Sequence, residues 1–219
     1  MNDEMARTGI RAFDSVFGSV RGGSFNLLIG RTDLNFRIVD RLAVRFADTG
    51  DPVYYVDGAG RSNPFTMAQV LRGVRRDPYG VLSRINIARA FTAHQMDAIV
   101  RESLPSLLPA PSLAIVSGID TLLSDPEVKE DEAWGMMANC LEALEELSRA
   151  GSAVIVAATG GSRGGEFLRA MGPRAGNWAS LKERPGGRIR IVVKDGRWID
   201  FVPISPLQTV IDDFQGGAS

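Results

Sequence analysis

The stretch that most constrains this chain is Leu27-Leu28-Ile29-Gly30, followed by an apolar-periodic run from about Leu34 to Asp48. Three aliphatic residues ending at a glycine describe a short buried strand that turns at once. Ile38, Val39, Leu42, Ala43 and Phe46 then recur at the spacing that lines one face of a helix. A strand apolar on both sides needs a cover on both sides. This unit therefore commits the rest of the chain to a layered α/β fold.

The remaining segments supply those layers. Val53 to Asp57, Ile85 to Ala90, Leu113 to Val116 and Ser152 to Ala158 read as strands, the last two as continuous apolar runs buried on both faces. Between them lie helical patterns: Ala12 to Phe17, Pro64 to about Arg76, a helix from Thr92 to Leu104, and Glu132 to Ala150. Thr92 and Gln95 form a capping-box pattern. Pro105, Pro109 and Pro111 mark a linker. Residues Gly160 to Gly176 are rich in Gly and Arg without apolar periodicity and read as a loop. Trp178 to Lys182, Arg188 to Lys194 and Arg197 to Val202 are strands, the last two joined by a two-residue Asp195-Gly196 hairpin turn. The expected fold is one α/β domain over residues 1–211, a doubly wound, mostly parallel sheet with an antiparallel C-terminal extension; residues 212–219 are a frayed tail.

Composition narrows the function classes. The 219 residues carry a net charge of −1, so nothing global points to nucleic acid or a membrane, and any basic surface has to be local. One cysteine, Cys140, excludes an intramolecular disulfide and fits a reducing compartment. No apolar run reaches the ~20 residues that span a bilayer, and the N-terminus lacks the plan of a signal peptide. A cytoplasmic location is expected. A single His with no Cys/His cluster offers no zinc site.

The turn at Gly30 occupies the place of the phosphate-binding G-x-x-x-x-G-K-[ST] loop, in which backbone amides and Lys hold phosphates and Ser/Thr holds Mg²⁺. Counted from Gly30, the second Gly falls on Asn35, the Lys on Phe36 and the Ser/Thr on Arg37. The frame of a P-loop is present without its chemistry.

Three further stretches extend this likeness. Thr8-Gly9-Ile10 with Phe13-Asp14 and Gly22-Gly23 is similar to the T-G-x-x-x-L-D…G-G entry of RecA-type ATPases. Asp57-Gly58-Ala59-Gly60 with Pro64 is similar to their D-T-E-G…R-P segment. Ile87-Ala88-Arg89-Ala90-Phe91-Thr92-Ala93-His94-Gln95 resembles the A-R-A-F-x-x-x-H-Q run of RadA-type recombinases. Over residues 7 to 204 the chain thus resembles the RecA-superfamily ATPase core, closest to the RadA recombinases and their RadB-like paralogues. The related KaiC-type ATPases share the entry and the P-loop, but not the run from Arg89 to Gln95.

That resemblance implies a RecA-like P-loop core and marks what has changed. The carboxylate that would polarise water falls on Ala59, and the Asp closing the Walker B strand falls on Ser117. Asp120, three residues on, lies past the strand end. Phosphoryl transfer rests on positioning and on charge neutralisation by Lys and metal. A chain lacking the P-loop Lys, the Ser/Thr and both carboxylates is expected to be a pseudo-ATPase without catalytic residues or a required cofactor. Arg31 or Arg37 beside a helix N-terminus leaves weak ATP binding open.

Seven arginines and two lysines between Arg163 and Arg197 stand against Glu166, Glu183 and Asp195, a net +6. The family's second DNA-binding loop occupies Gly160 to Gly176, which implies DNA contact, most naturally with single strands, through Arg163, Arg169 and Arg174, with Lys182 and Arg184 following. A recombinase of the RecA/RadA type or another paralogue is the implied protein partner. Self-filamentation is not expected, because the seven residues before Thr8 contain no Phe for a Phe-x-x-Ala segment. The overall expectation is a non-catalytic accessory of recombination or repair. A KaiC-like nucleotide-binding regulatory module and a structural partner without DNA contact are the alternatives. His94 is expected as a partly exposed helix residue, Arg89 in an internal ion pair, Cys140 in the core, and Trp134, Trp178 and Trp198 in core or interface packing.

Overall fold

The aliphatic runs become the middle of one eight-stranded sheet in the computed structural model, which describes residues 7–20, 23, 25–30, 33–73, 76–109, 112–160 and 164–202. Its strands are β1 (Phe25–Gly30), β2 (Val53–Asp57), β3 (Ile85–Arg89), β4 (Leu113–Ser117), β5 (Ala153–Ala158), β6 (Asn177–Arg184), β7 (Arg188–Val193) and β8 (Trp198–Phe201). They are ordered β3-β2-β4-β5-β1-β6-β7-β8. The pairs from β3 through β6 are parallel, and β7 and β8 are added antiparallel. The fold is α/β, with a mostly parallel sheet closed by antiparallel strands, as the alternation of elements predicts.

Helices cover both faces because successive strand residues point to opposite sides. Leu28, Tyr55, Ile115 and Ile155 join one core with α1 (Arg11–Phe17), α2 (Asp33–Asp48), α3 (Pro64–Gly73) and α4 (Pro78–Leu82). Leu27, Val56, Val116 and Val156 join the other, against α5 (Ala93–Ala98), α6 (Leu104–Leu107), α7 (Ile119–Leu123), α8 (Glu130–Arg149) and α9 (Gly164–Arg174). The Thr8-Gly9-Ile10…Asp14 stretch is a structural knot. Asp14 accepts hydrogen bonds from Thr8 N and Oγ1 and from Gly9 N. Gly9 sits at φ +77°, and a Cβ there would meet Arg45.

Coverage is uneven at the sheet's antiparallel end. Ala179, Leu181, Ile189, Ile191 and Val193 are buried in the first core, with α1 against β7 and β8. On the opposite side of the same strands Lys182, Arg184, Arg188 and Trp198 are exposed.

Several expectations are corrected. Gly160 to Gly176 is not one loop: Gly164–Arg174 is the helix α9, docked by Phe167 and Met171 one turn apart. The helix after Thr92 does not stop at Leu104. It widens into a π turn over Ile99–Ser103 and continues through Pro105 to Leu107. A proline that lacks an amide and crowds the preceding turn accounts for the widening. Thr92 caps that helix through Gln95 N, while Gln95 Oε1 accepts from Phe91 N rather than from the cap residue. The β7–β8 turn is longer than two residues. Gly196 N donates to Val193 O and Val193 N donates to Arg197 O, with Gly196 at φ +84° completing a three-residue bulged turn. The tail from residue 212 lies outside the described residues.

Phe167 is 1% exposed and meets the Trp134 ring edge-on at 4.7 Å. Its removal undoes the docking of α9. Phe167→Ala is expected to cost about 3–5 kcal/mol in urea unfolding; a loss below 1 kcal/mol would mean that α9 is not packed in solution.

Candidate functional site

The C-terminal edge of a parallel sheet is where ligands of such folds gather, and here polar side chains close it. Strand β1 ends at Gly30 and α2 begins at Asp33, so position 35, five residues after Gly30, already lies inside the helix. Asn35 lies in the first turn of α2, fully buried. Its Nδ2 donates to Ala158 O at 3.0 Å and reaches Gly30 O at 3.5 Å, tying the ends of β1 and β5 together. A Cβ at Gly30 would stand 3.2 Å from Leu181 Cβ, a tight contact that favours glycine there. Phe36 is buried and Arg37 is half-buried on α2. Arg31 lies outside the described residues.

The second closure surrounds Asp57 at the end of β2. Its carboxylate is 1% exposed and accepts from Ser62 Oγ (2.6 Å), Ser62 N (2.9 Å), Arg61 N (3.2 Å) and Ser117 Oγ (3.0 Å). Arg89 Nε stands 3.9 Å away, the internal ion pair expected of it. Burial works against the charged form, but these hydrogen bonds outweigh it and hold the carboxyl below its ordinary value. Ser117, at the end of β4, thus serves Asp57 through its hydroxyl. Asp120 is buried on α7, and its Oδ2 accepts from Thr159 N, Thr159 Oγ1 and Gly160 N, fixing the chain as it leaves β5. Ser117 Oγ is committed to Asp57 and Asn35 Nδ2 to the carbonyl of Ala158.

A group that the sequence pattern does not single out sits deeper. Asp40 on α2 is 5% exposed, and its Oδ1 has no hydrogen-bond partner; the buried Tyr55 hydroxyl has none either. Burial, with Asp57 nearby and the Asn63 amide opposing, pushes the Asp40 carboxyl up to about 7. The available signal was an Asp inside the apolar face Ile38-Val39-Leu42-Ala43.

Beyond the ends of β1, β5 and β6 lies a cavity of about 410 Å³, bounded by Ile29, Gly30, Thr159, Leu168, Leu181 and Lys182.

The basic candidates are not brought together. Arg163 lies outside the described residues. Arg174 is committed to α8 by a bidentate pair with Glu145 at 2.6 and 2.8 Å. Arg169 is exposed on α9 with Glu166 3.8 Å away. Lys182 and Arg184 lie instead on the uncovered side of β6, opposite Arg190 and Arg188 of β7. The alternation Lys182-x-Arg184 and Arg188-x-Arg190 is the signal that assigns all four to one face. Trp134 and Trp178 pack against the second core as expected, but Trp198 is 57% exposed, with Arg190 Cζ 4.2 Å from its ring centroid. His94 is exposed and contacts Glu132 at 2.8 Å, and Cys140 is buried, its thiol pushed up by burial.

Comparison with protein-family models finds no match to this chain, and no curated protein matches its sequence significantly. No helix among the described residues is long and apolar enough to cross a membrane.

The Asp40 carboxyl gives the site a pH signature. Its folded value near 7 lies above that of the unfolded chain near 4, so the folded protein holds a proton that the unfolded chain releases. The group therefore costs stability above pH 7, and the cost fades as pH falls through 7 toward 4. Asp40→Asn is expected to raise the melting temperature at pH 8 by several degrees or more, on the order of 4 kcal/mol, and to change it little at pH 4. An equal shift at both pH values would show that charge is not the cause.

Proposed function

We propose that this chain is a non-catalytic paralogue of the RecA/RadA type, acting as an accessory in homologous recombination or DNA repair through contact with DNA, a recombinase partner, or both. The observation that carries the reading is the Asn35 carboxamide joining the ends of β1 and β5 where a working phosphate loop would stand open. A fold with that site closed has no use for the triphosphate, and its surface chemistry becomes the functional part. The mostly parallel sheet with an antiparallel C-terminal extension agrees with what the sequence resemblance implies. The concentration of positive charge after β5, in a chain of net charge −1, supports contact with a polyanion.

The cavity beside Gly30 and Lys182 favours a second reading, a KaiC-like regulatory module in which a nucleotide still enters at the strand ends without being hydrolysed.

The two readings separate in solution. The accessory reading expects fluorescence anisotropy with a labelled oligothymidylate to show binding that weakens steeply between about 50 and 200 mM salt. It also expects no thermal shift and no phosphate release with Mg²⁺-ATP. A saturable ATP-dependent rise in melting temperature supports the regulatory module, because a ligand bound only to the native state raises apparent stability. Magnesium-dependent phosphate release would overturn both.

A further inference from the structure

We propose that the uncovered face of β6, β7 and β8 is a platform for single-stranded DNA, on which Trp198 stacks a base while Lys182, Arg184 and Arg188 hold the flanking phosphates. This rests on the DNA-binding reading above and gives it a surface other than the segment after β5.

The strand register builds the platform. Residues directly opposite each other across antiparallel strands share a face, so Lys182 stands beside Arg190 and then Asp200, Arg184 beside Arg188, and Val192 beside Trp198. Two cross-strand pairs thus set cation against cation, an arrangement that destabilises a sheet unless something anionic lies over it. Asp200 binds Arg190 in a bidentate pair at 2.7 and 2.6 Å. Hydrogen bonds from Arg190, with the charges of Arg184 and Arg188 nearby, hold its carboxyl below the ordinary range. Lys182, Arg184 and Arg188 have no carboxylate within salt-bridge distance among the described residues, and all three are exposed. The face is short of negative charge by three.

Trp198 makes the face selective for bases. Arg190, itself fixed by Asp200, stacks on one face of the indole at 4.2 Å and steadies the ring, while more than half of the residue stays open to solvent. A ring held in this way loses little freedom when a base stacks on it. Bases inside a duplex already stack on one another, so an aromatic on a sheet face selects unpaired ones. Alternate residues along a strand stand about 7 Å apart, comparable with a nucleotide step in an extended single strand. The Lys182–Arg184 row can therefore follow successive phosphates while Trp198 takes a neighbouring base.

The test uses the full chain, a short oligothymidylate and an abasic oligonucleotide of the same length. The intact protein is expected to show quenching of Trp fluorescence by oligothymidylate but not by the abasic strand, and weaker binding of the latter. Trp198→Ala is expected to weaken oligothymidylate binding about ten-fold or more and to leave the affinity for the abasic strand unchanged. Lys182→Ala/Arg184→Ala/Arg188→Ala is expected to weaken both and to lower the salt slope by about 2. Circular dichroism and thermal melting check that these surface variants fold. If the variants fold and bind oligothymidylate like the intact protein, or if the abasic strand binds equally well, the platform is refuted while the DNA-binding reading stands. If the intact protein binds no DNA at low salt, both fall.

Discussion

The carboxamide of Asn35 is the contact on which the character of this molecule turns. A parallel sheet buried on both sides has one edge where strand carbonyls and amides must find partners, and ligand-binding folds leave part of that edge open for phosphate or metal. Here Asn35 spans from β1 to β5, Ser62 and Ser117 surround Asp57, and Asp120 holds the amides after β5. Most of the polar groups along that edge are satisfied from within, although one oxygen each of Asn35 and Asp120 is buried without a hydrogen-bond partner. The result is a sheet edge held together largely by its own side chains.

Much of the fold was legible in the sequence. The continuous apolar runs of β4 and β5, the helical stripe of α2 and the alternation of strand and helix carry a simple periodicity, and burial on both faces leaves them no other placement. The parts that were not legible depend on few residues. Helix α9 docks through Phe167 and Met171 within a stretch otherwise full of Gly and Arg, too small a stripe to stand out. The passage of a helix through Pro105 depends on a π turn that no propensity announces. The sequence also could not say that the bulged turn after β7 needs Lys194 as well as Asp195-Gly196, because the closing bonds are set by strand twist.

The candidate site was legible in what it lacks and less so in what it holds. The absence of Lys, Ser/Thr and carboxylates at the counted positions is a matter of identity alone. That Asn35 would span two strand ends, or that Ser117 would serve Asp57, depends on the register of β2, β4 and β5, which the sequence does not print. Arg174 illustrates the limit for charges: a cation in a basic run reads as a free contact until Glu145, on a helix distant in sequence, claims it. Of the core or interface packing expected of Trp198, the one-sided cover of β8 removes the core and leaves the ring outside.

The position of β1 has a consequence for how the chain comes to be made. Among the described strands it comes first along the chain, yet both of its neighbours lie far on in the sequence: Phe25 pairs with Val154 and Asn26 with Asn177. Until the ribosome has delivered β5, Leu27 and Leu28 have no strand to lie beside, and such long-range pairing is slow to form. A nascent chain halted before that point displays an unpaired apolar strand, the kind of surface that chaperones retain and that aggregates when they do not.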